Sequence, residues 1–433
     1  MAIEALIIIL LVLLVLLFLG VPISYSIGIS SLAAVLLTVD LDIAVLTAAQ
    51  RTFVGMSKFS LTAIPFFILA GNIMNQGGIA KRLVNFVMAI LGKVPGALLV
   101  TNVGTNALFG AISGSASAAA AAVGSMIRDG ADEAGYSPAI TAATNAASAP
   151  AGLLIPPSNA LITYSLAAGG TSVAALFMAG YIPGIIWALC CAVVGIILAK
   201  WRGYMDTPGK FSWMNLLKCT ISALPSLSLI IVVIGGIVGG IFTATEGSAI
   251  AVVYSLILGF CYRSINLKSL WRIIVDSAKM SGMVVFLIGV SNILGWVMAF
   301  TQIPDAVAAG LLSLTENKYV ILLIMNLILL VAGTFMDVTP AILIFTPLFL
   351  PICTGFGMHP VHFGLILVYN LCIGNITPPV GNTLFVGIKV GRTSLSKVMP
   401  YMLIYYVAIL AGLFLITYIP DIVMVLPRLT GLV

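Results

Sequence analysis

Charge is what this sequence has least of. Asp, Glu, Lys and Arg together make up 7% of its 433 residues, against about 25% in typical soluble domains. Too few charges remain to cover a water-facing surface, which excludes an ordinary soluble globular fold. Histidine is nearly missing: His359 and His362 share one short HPVH loop, with no Cys or carboxylate cluster beside them, so no metal centre is expected there. The six cysteines form no CxxC pair and read as small packing residues rather than a disulfide framework. Neither HExxH nor GxxxxGK[ST] occurs, which removes a zinc metalloprotease and an ATP-driven pump. A serine protease would need a base, and both histidines fall in one loop. An enzyme is not expected.

What is present is apolar. Hydrophobic residues are 61% of the chain and the mean hydropathy is +1.21, which excludes disorder. The apolar runs are long and continuous rather than alternating, which favours helices over an outer-membrane barrel. The expected class is an all-α polytopic membrane protein surrounded by lipid. Ile3–Gly20 lacks a basic leader and an A-x-A site, so it reads as a retained span rather than a signal peptide. Further spans are expected near 22–38, 59–75, 172–199, 219–242, 245–262, 281–300 and 398–419. The net charge of +6 comes from loop residues that set membrane topology, so no nucleic acid partner is expected.

The two halves of the chain repeat. A shift of 222 residues carries Pro156-Pro157 onto Pro378-Pro379, Thr171-Ser172 onto Thr393-Ser394, and Ser26 onto Ser248. With a one-residue slip, Ser113–Ser117 falls on Met336–Pro340. We expect a first repeat over 1–200, with a hairpin at 95–127 and a broken helix at 138–168. A cytoplasmic linker at 201–222 leads to a second repeat over 223–433, with a hairpin at 319–355 and a broken helix at 362–389. Each repeat also carries an amphipathic arm, at 265–279 and roughly 42–57. Leu267, Leu270, Trp271 and Ile274 share one face of the later arm, which suits a helix lying along the membrane surface. With re-entrant hairpins each repeat crosses five times, so the second is inverted. Charge agrees: Arg51, Lys58, Lys318 and Arg428 lie on one side, and the other Lys and Arg residues on the opposite, cytoplasmic side. Both termini are then periplasmic.

Inverted repeats with interrupted helices point to a secondary transporter. A helix broken at mid-membrane frees backbone groups that lipid cannot satisfy, so such a break needs an ion or a ligand in the gap. Four breaks stand out. In the first, Ser113, Ser115 and Ser117 offer hydroxyls and Gly114 permits a tight turn. In the second, Pro156 and Pro157 remove N–H donors, and Ser158 and Asn159 add side-chain oxygens. In the third, Gly333 precedes Asp337, an intramembrane acid read both as a site residue and as the N-cap of a helix starting at Thr339-Pro340. In the fourth, Asn375, Thr377 and Asn382 are oxygen donors around Pro378 and Gly381. Neutral oxygens with a single carboxylate suit Na⁺ better than a proton relay. With no Lys or Arg placed at mid-membrane, an anionic substrate would rest on helix N-termini, hydroxyls and amides. Lys389 and Arg392 could help, though positive-inside residues are the plainer reading of them. Ser115, Ser158, Asn159, Asp337 and Asn382 are the candidate substrate ligands. Ser113, Gly114, Ser117, Pro156, Gly333, Thr339, Thr377, Pro378 and Gly381 are the candidate Na⁺ ligands.

At these motifs the chain resembles a known family. GAISGSASAAAAAVG, LLIPPSN, GGIFTATEGSAIAVVYSL, the D-x-T-P tip followed by PLFLPI, and NITPPVGN occur in that order. Together they are similar to the large membrane subunit of TRAP (tripartite ATP-independent periplasmic) transporters, of the DctM or SiaM type, over essentially the whole chain. The resemblance implies an elevator-type fold of the ion-transporter superfamily in the bacterial inner membrane. It also implies Na⁺-coupled uptake of an organic acid anion, of the sialic acid or C4-dicarboxylate class. The partners it implies are a small four-helix membrane subunit, a soluble periplasmic substrate-binding protein and membrane lipid. Alternatives left open are an H⁺- or Na⁺-coupled anion transporter of the same fold that needs no binding protein, and an ion channel, which would need a continuous polar pathway.

Overall fold

The computed structural model describes residues 2–92, 94–204 and 212–433. Lys93, Lys210 and the middle of the expected linker lie outside the described residues. The first part of the chain contains α1 (Ala2–Phe18), α2 (Ile23–Val35), α3 (Leu41–Met56), α4 (Ala63–Gln76) and α5 (Ile79–Leu91). Then come α6 (Ala97–Ser113), α7 (Ala116–Glu133), α8 (Pro138–Ser148), α9 (Ala151–Leu154), α10 (Asn159–Ala167) and α11 (Val173–Arg202). The second part contains α12 (Trp213–Val238), α13 (Ala244–Cys261), α14 (Leu267–Phe300), α15 (Ile303–Leu314) and α16 (Lys318–Phe335). It ends with α17 (Val338–Gly355), α18 (Pro360–Gly374), α19 (Asn382–Val390), α20 (Leu395–Tyr418) and α21 (Pro420–Leu429).

Seven of the described helices are long and apolar enough to cross a membrane: α11 to α14, α16, α17 and α20. The bent pair α3–α4 makes an eighth if taken as one span. Their outer faces are those of a lipid-bathed protein. On α1, Ala5, Ile9 and Leu13 recur every four residues and are buried, while Leu10, Leu11 and Leu14 are exposed. The buried stripe packs on α2, which presents the small residues Ser26, Ser30 and Ala34, all fully buried. Small side chains let helix backbones approach closely, the main source of helix association in a bilayer.

One expectation needs redrawing. The arm at 265–279 and the span at 281–300 form a single 34-residue helix, α14. Asn266 and Ser269 begin it with reciprocal capping bonds, and no proline interrupts it. The matching stretch of the first half turns by 60° between α3 and α4, where Pro65 in the first turn of α4 lacks a donor. The arm face of Leu267, Trp271 and Ile274 points outward.

The interior belongs to the broken helices. Every residue from Ala139 to Ser148 and from Val361 to Gly374 is buried. The two halves interlock through them: α19 packs on α7 and α8, and α10 packs on α17. Within each half, the first hairpin arm meets the broken helix through a pair of glycines. A Cβ on Gly110 would come within 2.8 Å of the Gly152 Cα, and a Cβ on Gly333 within 3.2 Å of the Gly374 Cα. Asparagines tie the same hairpin arms to the broken helices. Asn106 Nδ2 donates to Asn145 Oδ1 (3.0 Å), and Asn370 Nδ2 donates to Asn326 Oδ1 (2.8 Å). Each such bond, buried among apolar groups, contributes about 1 kcal/mol and costs more than that when one partner is removed.

Candidate functional site

A cavity of about 450 Å³ lies where the four breaks meet. The first break reaches it through Ser113, Gly114, Ser115 and Ser117. The second contributes Asn159, the third Asp337 and Thr339, and the fourth Asn375 and Asn382. No Lys or Arg is among its lining residues. Residues from both halves of the chain are thus brought together, Ser113 and Asp337 from 224 positions apart in sequence.

Local chain chemistry explains how each break is held. α6 stops at Gly114, whose φ of +64° is readily adopted by glycine alone. The chain then restarts at Ser115, an N-cap whose hydroxyl accepts the Ala118 N–H (3.3 Å) and lies 3.2 Å from the Ser117 hydroxyl. Ser158 repeats this at α10, accepting from the Leu161 N–H (3.3 Å) and donating to the Leu153 carbonyl. Asp337 sits at the N-cap position of α17. That helix begins at Val338, one residue earlier than expected, because Pro340 fits the first turn, where no N–H bond is lost. Between the third and fourth breaks, the Val380 N–H donates to the Thr334 carbonyl (3.1 Å), and within the fourth the Thr383 N–H donates to the Asn375 carbonyl (3.1 Å).

The consequence is that four helices begin at one cavity. The first turns of α7, α10, α17 and α19 all contribute lining residues. Each brings unpaired N–H groups and the positive end of its dipole, so the space favours an anion without a basic side chain. Helix C-terminal ends also reach the wall, through Ser113 of α6 and Asn375 after α18, and they offer carbonyl oxygens of opposite polarity. Asn159 Oδ1 is buried with no protein partner, an acceptor that calls for a ligand. Asp337 and Asn382 line the cavity together, and the Asp337 side chain is exposed to it.

Not every residue singled out in the sequence faces this space. Ser158, Pro156, Gly333, Thr377, Pro378 and Gly381 are not among the lining residues. Ser158 spends its hydroxyl on the α10 cap. Thr377 Oγ1 donates to the Ile373 carbonyl (2.7 Å). Gly333 packs on Gly374, and a Cβ on Gly381 would come within 2.8 Å of the Thr377 carbonyl oxygen. Pro156 and Pro378 each open a cis Pro-Pro bond behind the wall. Lys389 and Arg392 lie at and beyond the far end of α19 and are not among the lining residues.

The sequence reading overlooked the wall opposite the breaks. α4 supplies Gly71 and Asn72, and α14 supplies Met280 and Val284. Asn72 Nδ2 donates to Ser277 Oγ (2.8 Å), joining those two helices beside the cavity. A polar Asn inside the apolar run of α4 was the available signal. The histidines are structural: His359 Nδ1 accepts the Val361 N–H (3.2 Å), and His362 Nε2 lies 2.8 Å from the Ile416 carbonyl. Among the described residues no group of His, Cys, Asp or Glu is placed to hold a metal ion.

Residues 10–422 match the family model for the DctM component of the tripartite ATP-independent periplasmic transporter. The chain belongs to this family. It is therefore a transporter component, not an enzyme, and a multi-pass protein of the inner membrane. It is 51% identical to the uncharacterized protein YgiK of Salmonella typhimurium, over 95% of each chain. The C4-dicarboxylate TRAP transporter large permease protein DctM of Rhodobacter capsulatus is 37% identical, covering 95% of this chain and 96% of its own. The sialic acid TRAP transporter large permease protein SiaM of Vibrio cholerae is 34% identical, over 95% and 96%. The fold matches the Alcanivorax borkumensis YdaH transporter at a TM-score of 0.65 and 16% identity, over 88% of this chain and 89% of that one.

Proposed function

We propose that this TRAP large subunit carries an organic acid anion inward together with Na⁺, by an elevator movement, after delivery by a periplasmic binding protein. The convergence of four helix N-termini on a cavity without Lys or Arg supports the anion most strongly. A carboxylate there meets backbone N–H groups and the amides of Asn159 and Asn382. Carboxylate cargo also agrees with the C4-dicarboxylate and sialic acid named for DctM and SiaM. Na⁺ is the co-transported substrate. The serine hydroxyls, the Asn159 and Asn375 carbonyls, the Asp337 carboxylate and the carbonyls freed at the breaks supply the hard oxygens it requires.

The recurrent Gly–Gly and Asn–Asn contacts support a repeat running over 1–200 and 223–433, inverted so that both termini are periplasmic. In the elevator reading, the hairpins and broken helices move as a body along α4 and α14. Gly71, where a Cβ would come within 2.6 Å of the Ser113 carbonyl oxygen, marks the sliding contact. A small four-helix subunit and the binding protein complete the system.

The test is uptake of labelled sialic acid and of succinate into proteoliposomes holding this chain and its small subunit, each with a matching binding protein. Uptake that needs both an inward Na⁺ gradient and the binding protein is expected. Uptake driven by a proton gradient alone, without the binding protein, would overturn the coupling and the delivery step together.

A further inference from the structure

A second cavity, of about 490 Å³, lies between the α3–α4 bend, the end of α10, α14 and α17. Its only ionisable lining residues are Arg51 and Lys58, and no Asp or Glu lines it. Neither cation forms an ion pair among the described residues. The Arg51 guanidinium is held 5.8 Å from the centroid of the Trp296 ring, which stacks on Phe300. These are two of the four basic residues that the charge asymmetry places on the periplasmic side.

The two cavities share the same walls. On α14, Met280 and Val284 line the inner one, while Ile288, Ser291 and Gly295 line the outer. On α17, Val338 and Thr339 face inward, and Leu343 and Pro347 face the outer cavity. Val284 and Ser291 are about 10 Å apart along the helix axis, at 1.5 Å per residue. The packed seam between α14 and α17 therefore borders both the cationic chamber and the site that collects helix N-termini.

We propose that the outer cavity is a capture site for carboxylate cargo, with Arg51 and Lys58 drawing the anion in before it moves along the α14–α17 seam. Two unpaired cations in a low-dielectric cleft raise the local anion concentration, by about tenfold or more at low salt. The Trp296 ring face adds a cation–π contact that favours the Arg51 guanidinium at this cleft. The identity of the cargo rests on the proposed function; the accumulation of anions does not.

The test uses the full chain in nanodiscs of zwitterionic lipid. The Trp296 signal is isolated as the difference between wild type and Trp296→Phe. Iodide should quench it more strongly than neutral acrylamide does, succinate should relieve that quenching, and Arg51→Gln/Lys58→Gln should abolish the preference for iodide. In proteoliposomes the same double variant should raise the KM for succinate or sialic acid about tenfold at low ionic strength, a difference that shrinks in high salt. Equal iodide quenching in wild type and double variant would overturn the proposal. So would relief of quenching by anionic phosphatidylglycerol in the nanodisc with no response to succinate, which would assign the cavity to a lipid headgroup. If wild type takes up neither anion, the proposed function fails, while the quenching result still decides whether this is an anion site.

Discussion

Replacing Gly114 by alanine perturbs the first break at its tightest point. The residue has φ +64°, a conformation that costs an L-residue roughly 1–2 kcal/mol. The new Cβ would also stand 2.6 Å from Asn159 Nδ2 and 3.1 Å from its Cγ, so the amide must retreat from the cavity wall. Both effects act only when the break holds its present geometry. A bias of that size against the competent geometry lowers apparent affinity by about five- to thirtyfold. The assay is the Na⁺ concentration that gives half-maximal uptake in proteoliposomes, with membrane insertion checked in parallel. Gly114→Asn, which tolerates left-handed backbone better but keeps the Cβ contact, should fall between wild type and alanine. Wild-type Na⁺ dependence in Gly114→Ala would refute the reasoning.

Asp337→Asn, Ser115→Ala and Asn382→Ala should each impair uptake while leaving insertion intact; wild-type Na⁺ dependence in all three would refute the site assignment. Ser115→Ala should also cost about 1 kcal/mol of stability through the lost cap, visible as earlier thermal unfolding in detergent. Gly152→Ala should be more damaging to folding than Gly282→Ala, because its Cβ would fall on the Gly110 backbone whereas Gly282 has open space around it; monodisperse yield on size exclusion reads this. Burial, and then the charge of Arg428, hold His359 below its ordinary value. Its protonation is therefore resisted in the folded state, and stability should decline as pH falls below about 6.5, levelling off below the lowered native value. Arg428→Gln should flatten that decline in the melting temperature, whereas a uniform shift at all pH values would point only to loss of its 2.7 Å pair with Asp421.

The breaks were legible because they are written in residue types that helices reject. Pro-Pro, Gly114 and the Ser, Asn and Asp caps interrupt apolar runs that would otherwise continue as helix, and they do so twice at nearly equal spacing. That all four breaks meet at one cavity was not legible, because the residues that mark a break do not say which other break it faces. What escaped is tertiary. Asn72 and Ser277 are unremarkable on their own helices and become a site wall because α4 and α14 meet. The Gly110–Gly152 and Gly333–Gly374 contacts depend on which helix faces which, and single residues do not encode that. Ser158 and Thr377 were read as ligands because a hydroxyl at a break can serve either a ligand or the backbone. Their donors go to the carbonyls of Leu153 and Ile373, a choice set by burial, since a hydroxyl with no water nearby takes the nearest acceptor. The separate arm and span merged into α14 because amphipathic and apolar periods join without a break when no proline intervenes.

The central claim is that oxygens from both halves of the chain hold Na⁺ at one cavity. Equilibrium binding of radiolabelled Na⁺ to the purified chain tests it most directly, with K⁺ as competitor and with Gly114→Ala and Asp337→Asn beside wild type. The account predicts saturable, K⁺-resistant binding by wild type that is weakened by a change in either half. Saturable binding that neither substitution alters, or no saturable Na⁺ binding at all, would contradict it.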